Sequence, residues 1–132
     1  MRLRVESTLP DDLENLIHET IGCCIDVHSK LGPGLLEGVY PRALAMELDA
    51  RGISHEVEKC VPVRYRDQVI YNQRIDVLVD QKLILEIKSV ERLSPVHVAQ
   101  VLSYLRATTL RAALLINFNV PVLKQGIRRV VL

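Results

Sequence analysis

The chain has 132 residues, 48% of them apolar and 25% charged, with a formal net charge of +1 at pH 7. That composition excludes fibrous and disordered classes, and no run approaches the ~20 apolar residues of a membrane span. One globular domain over residues 1–132 is expected, burying about 70% of its unfolded surface, with no secretory h-region, no membrane partner and a cytoplasmic location.

Residues 1–9 read as a loose or edge segment. From Pro10 to Leu31 the apolar positions Leu13, Leu16, Ile17, Ile21, Cys24, Val27 and Leu31 keep the spacing of an amphipathic helix. Pro10 suits a first turn, Asp11, Asp12 and Glu14 complement the helix dipole, and Gly32-Pro33-Gly34 ends the element. A second helix is expected from about Leu36 to Arg51. Leu36, Val39, Tyr40, Ala43, Leu44 and Leu48 form its stripe, and Gly52 its stop. Glu37, in its first turn, has a plain reading as a dipole partner and shares a face with Tyr40.

Val57 to Arg66 reads as a strand in which Pro62 marks a break, bulge or edge. Asp67-Gln68 turns the chain into a long strand from Val69 to Val79, and Asp80-Gln81-Lys82 turns it again into Leu83–Lys88. Ser94 as cap and Pro95 at the first helical position start a helix that runs to about Thr108. Val98, Val101, Leu102 and Leu105 give it an apolar face, while His97, Gln100 and Tyr104 form a separate polar stripe. Ala112 to Phe118 is a buried strand, parallel to its neighbour across the helix, and Lys124 to Leu132 a final edge strand. The order ααβββαβ with a terminal strand gives an α/β or α+β class with a mixed sheet.

Cys23, Cys24 and Cys60 are odd in number and lack zinc spacing, so all three are expected to be buried free thiols. Charge is uneven along the chain. Residues 1–60 hold six Lys/Arg against eleven Asp/Glu, and residues 61–132 hold eleven against five. A basic second half suits a polyanion, though a solvated face explains it as well.

Asp76, Glu86 and Lys88 are embedded in strands otherwise fit for a core. A buried unpaired charge costs several kcal/mol, so something must compensate them. One reading pairs Lys88 with a carboxylate and leaves the other acid at a strand end. The other has two carboxylates and a main-chain carbonyl holding a hard cation such as Mg²⁺ or Mn²⁺, with the lysine aimed at what the cation binds. Glu86 and Lys88, two apart, project from one face of their strand, and Asp76 reaches that face if the register allows.

A Glu37-bearing helix, an Asp76 strand, the Glu86-Ile87-Lys88 strand and a helix with Gln100 and Tyr104 resemble, in that order, the PD-(D/E)xK nuclease superfamily. Within it, Gly34-Leu35-Leu36-Glu37-Gly38-Val39-Tyr40 is similar to the name motif of the GxxExxY family. Arg74–Val79, Pro95–Gln100 and Leu115–Phe118 extend the likeness over roughly residues 10–132, although Ile75 stands where the superfamily's name has proline. The resemblance implies an α/β, restriction-endonuclease-like core, with a central mixed sheet flanked by helices. It implies Asp76, Glu86, the Ile87 carbonyl and Glu37 around Mg²⁺ or Mn²⁺, Lys88 as the catalytic lysine, and Gln100, Tyr104 and Tyr40 in contact with substrate or supporting the metal's surroundings. The expected reaction is metal-dependent hydrolysis of a nucleic-acid phosphodiester, with DNA as the expected partner and a homodimer as the assembly that would cut two strands. The alternative is a catalytically silent module on the same fold that binds nucleic acid or protein. With five aromatic residues in the chain, stacking on exposed bases is a minor mode of recognition.

Overall fold

The two most apolar runs of the chain lie side by side at the centre of its sheet. The computed structural model describes residues 8–132 and contains α1 (Asp11–Leu31), α2 (Val39–Ala50), β1 (His55–Tyr65), β2 (Gln68–Val79), β3 (Leu83–Lys88), α3 (Pro95–Thr108), β4 (Ala112–Asn117), a short 3₁₀ turn (Leu123–Gly126) and β5 (Ile127–Val131). The five strands neighbour one another in chain order, β1-β2-β3-β4-β5. Only β3 and β4 run parallel, in register from Leu83–Ala112 to Lys88–Asn117, and α3 makes the crossover between them. The other three pairings are antiparallel.

Strands that are apolar on both sides need cover on both faces. Residues 83–87 and all of β4 are buried. One face carries α1 and α2, whose Leu13, Ile17, Cys24, Val27, Leu44 and Leu48 pack with Val77, Leu85, Ile87 and Leu114. The other face carries α3, whose Val101, Tyr104 and Leu105 pack with Ile75, Ile84, Ala113 and Leu115. α3 begins as its Ser94-Pro95 signal demands, with His97 Nδ1 accepting the Ser94 amide at 3.0 Å. α2 ends at Ala50, where Gly52 and Ile53 donate their amides to Asp49 and Leu48, the double bond of a Schellman stop.

Several sequence expectations shift. Leu9 is buried, so the loose segment does not extend to it, and residues 1–7 lie outside the described residues. α2 starts at Val39 rather than Leu36, leaving Leu36 exposed and Glu37 in a preceding turn. The 35–37 stretch is held out of the helix by Ser89, which binds the Leu35 carbonyl and the Glu37 carboxylate. The first hairpin turns on Arg66-Asp67, one residue early, with φ of 50° and 65°. Such a two-residue primed turn matches the strand twist and sets the Tyr65–Gln68 register. Pro62 does sit on the sheet's outer strand, one residue before an irregularity at Val63/Arg64. Cys60 is exposed, unlike Cys23 and Cys24, because its neighbour Val61 takes the inward position on this edge strand. Tyr104 keeps its place on the polar stripe, bonded to Gln100, but is buried.

Gly126 closes the turn into β5 by lying directly against the Asn117 carbonyl, where a Cβ would collide with backbone. Gly126→Ala is therefore expected to destabilise the fold by about 1–3 kcal/mol, the range for overpacking. Chemical denaturation would show this as a lower midpoint at unchanged slope, whereas an unchanged midpoint would contradict the close approach.

Candidate active site

β2 and β3 pair only at Val77–Leu85, Leu78–Ile84 and Val79–Leu83. One step further, Asp76 would stand opposite Glu86. The strands fork there instead, and Asp76 Oδ2 accepts the Ile87 N–H at 2.7 Å. On its other side the β1–β2 ladder has Val57–Val77 and Lys59–Ile75 but no pair at Glu58 and Asp76, and Glu58 takes a left-handed φ of 52°. The pleat also shifts at this point. Ile75 and Leu78, three apart, both pack toward α3, whereas Val77 and Val79 pack toward α1 and α2. Asp76 thus lies where the alternation breaks, and its carboxylate fills the gap between strands.

Glu86 is 3% exposed, and its Oε2 has no hydrogen-bond partner. Burial pushes its carboxyl far above the usual range, and the Asp76 carboxylate adds to the shift by hydrogen bond and charge. Lys88 and Tyr104 oppose the shift. Desolvation and the neighbouring carboxylate thus both favour the protonated form of Glu86. An orphaned buried oxygen beside a second carboxylate fits a hard cation. Among the described residues no three His, Cys, Asp or Glu side chains converge on one point. A cation here would take Asp76 and Glu86, with main-chain oxygen and water completing the shell, as Mg²⁺ readily does.

Lys88 enters from the α3 side. Its Nζ donates to Gln100 Oε1 at 3.1 Å, Gln100 Nε2 donates to the Tyr104 hydroxyl at 3.0 Å, and that hydroxyl donates to the Arg74 carbonyl at 3.3 Å. The Tyr104 hydroxyl is pushed up by burial and by the Glu86 charge next to it. This relay fixes the ammonium beside the carboxylate pair.

Glu37 comes from the opposite side, on the loop before α2. Its Oε1 accepts the Ser89 N–H at 3.2 Å, and it shares a groove of about 630 Å³ with Asp76 and Glu58. Tyr40 braces that loop from the core. Fully buried and stacked on Phe118 at 4.5 Å, it donates to the Gly32 carbonyl and accepts the Leu35 N–H. Gly32 itself has φ 69°, a left-handed conformation that suits glycine.

A family model for the PD-(D/E)XK nuclease superfamily matches residues 14–130. The chain belongs to this superfamily. A comparison with curated proteins gives no match. Three helices around a five-stranded mixed sheet are the restriction-endonuclease-like α/β fold of the PD-(D/E)XK superfamily.

In this superfamily member the fold gathers Asp76, Glu86, Ile87, Lys88, Gln100 and Tyr104 at one strand fork, with Glu37 at the rim. Tyr40 does not join them: fully buried, it braces the loop that carries Glu37. Ile87 binds Asp76 through its N–H. Two positioning residues escaped the sequence reading. Ser89 clasps the Glu37 loop, and Asn117, 2% exposed, exchanges hydrogen bonds with both backbone groups of Val90. Asn117 had a signal, an amide ending a run of five apolar residues; Ser89 had none.

The raised Glu86 value fixes the sign of a pH effect. The folded state holds a proton that the unfolded chain releases near the ordinary value of 4.5, so without divalent cation, stability falls as pH rises above that value. Glu86→Gln keeps the shape and removes the titration. It is expected to melt higher than the wild type at neutral pH, by the roughly 1–3 kcal/mol of an unsatisfied buried group, with a flatter pH profile. Identical profiles in calorimetry would contradict the burial argument.

Proposed function

We propose that the chain is a divalent-metal-dependent nuclease that hydrolyses phosphodiester bonds of nucleic acid, DNA in the first instance. The observation that carries this reading is the fork at Asp76, which sets two carboxylates and Lys88 around one desolvated point. Asp76 and Glu86, with the Ile87 carbonyl, would hold Mg²⁺ or Mn²⁺, and Glu37 would reach it from the rim. When bound, such a cation supplies positive charge where the phosphate gains negative charge in the transition state. Lys88, aimed by Gln100 and Tyr104, adds a second positive charge on the α3 side and can give up or take a proton there. Burial of Glu86 keeps bulk water from screening these charges.

The Gly34–Tyr40 sequence supports placement in the GxxExxY family, and a single sheet running through the described residues supports a one-domain reading. A reaction on both strands of a duplex would call for two copies of the chain.

The test is direct. Supercoiled plasmid and an end-labelled DNA duplex are incubated with protein and Mg²⁺ or Mn²⁺. Nicking or cleavage is expected with the wild type, is abolished by chelation, and falls at least about a hundredfold in Lys88→Ala and Asp76→Ala, the scale of removing a charge that stabilises the transition state. Cleavage that persists in both variants would overturn the reading.

A further inference from the structure

A second hollow, on the α3 side of the sheet, carries positive charge without an acid among its lining residues. Arg64, near the end of β1, and Arg106, in the last turn of α3, line a hollow of about 460 Å³ with Pro62, Gln73 and Ser103. Both arginines are exposed, and among the described residues neither guanidinium has a hydrogen bond or ion pair. Two like charges face one cavity and no carboxylate lines it. That arrangement favours an anion.

The hollow shares a wall with a cleft that borders the candidate active site at Gln100 and Tyr104. Gln73 is also a wall of the adjoining cleft of about 360 Å³, with Asn72, Arg74, Gln100 and Tyr104, and no acid lines that cleft either. Gln100 in turn holds Lys88. From Gln100 to Arg106 is six residues of helix, about 9 Å, a short step along a nucleic-acid strand. The Glu37, Glu58 and Asp76 groove also holds Arg42, and Glu58 pairs with Arg74 of the cleft at 3.6 Å, so among the described residues the unpaired cations along the hollow and cleft are Arg64 and Arg106.

Resting on the nuclease reading, we propose that Arg64 and Arg106 together hold one backbone phosphate of the nucleic-acid strand, a short way along the strand from the bond that faces Lys88. They are positioning residues: they fix how the strand crosses the site and take no part in the chemistry.

The test measures binding of a fluorescein-labelled 20-base-pair DNA duplex by anisotropy, in Mg²⁺ and over a range of salt. All proteins carry Lys88→Ala so that the duplex survives. Adding Arg64→Ala and Arg106→Ala together is expected to weaken binding about tenfold at 0.1 M salt and to reduce the slope of log K against log salt by about one, the signature of one lost phosphate. Arg106→Lys, which keeps the charge, should restore most of the slope. Lys124→Ala, which removes an exposed charge on the 3₁₀ turn, should leave it unchanged. An unaltered slope in the double variant, or an equal loss in Lys124→Ala, would overturn the proposal. The two readings fail separately. A wild type that cleaves while the arginine variants bind normally removes the phosphate slot alone, and a slope lost in a protein that never cleaves removes the nuclease reading alone.

Discussion

The hydrogen bond from the Ile87 amide to the Asp76 carboxylate is the constraint on which the site depends. Opening an antiparallel pair in the interior of a sheet leaves backbone groups without partners, at about 1–3 kcal/mol each when buried. Asp76 removes that cost on β3 by offering a side-chain oxygen where a strand carbonyl would stand. The strands can then diverge, and the carboxylate that permits the divergence is also the one brought against Glu86. Geometry and electrostatics follow from a single contact. With Asp76 committed to the amide, Glu86 is left with an unmatched oxygen in a dry place, where burial favours its protonated form.

Everything else is arranged around the end of β3, where each successive residue addresses a different part of the fold. Ile87 holds β2 through Asp76, Lys88 reaches α3 through Gln100, and its carbonyl takes the Phe118 amide at the end of β4. Ser89 then binds the loop before α2, and Val90 is gripped by Asn117. Four elements are thus referenced to one short stretch of backbone, so the relative placement of Glu37, Asp76 and Lys88 does not depend on the stiffness of any single loop. Long-range bonds of this kind hold an exposed rim acid in place where local propensity alone would have wound residues 36–38 into helix.

The fold was legible because its signals are periodic and local. Helical spacing in α1, the Ser94-Pro95 start of α3 and the doubly apolar β3 and β4 each determine an element without reference to the rest. Asp76, Glu86 and Lys88 were conspicuous for the opposite reason, as charges in strands that have no place for them. What was not legible is tertiary. The start of α2 is decided by Ser89, fifty residues away in the chain, and the burial of Tyr104 by a pleat that shifts at Asp76. A regular strand would have sent Ile75 to the other face, and nothing in Arg74-Ile75-Asp76 announces the change. Cys60 was misplaced because an edge strand has an outer side, and its two buried namesakes give no hint of that.

The sheet order has a kinetic meaning. Because β1 to β5 are neighbours in chain order, every pairing but one can form between adjacent segments joined by a short connection. The exception is the parallel β3–β4 pair, whose ends meet only when the chain has closed a loop through α3, and closing such a loop is the slow, entropy-limited part of folding. Lys88 stands at the start of that loop and Gln100 within it. The ammonium therefore acquires its orientation only when α3 lies back over the sheet, and a chain that has not yet closed the crossover carries its acids without an aligned lysine.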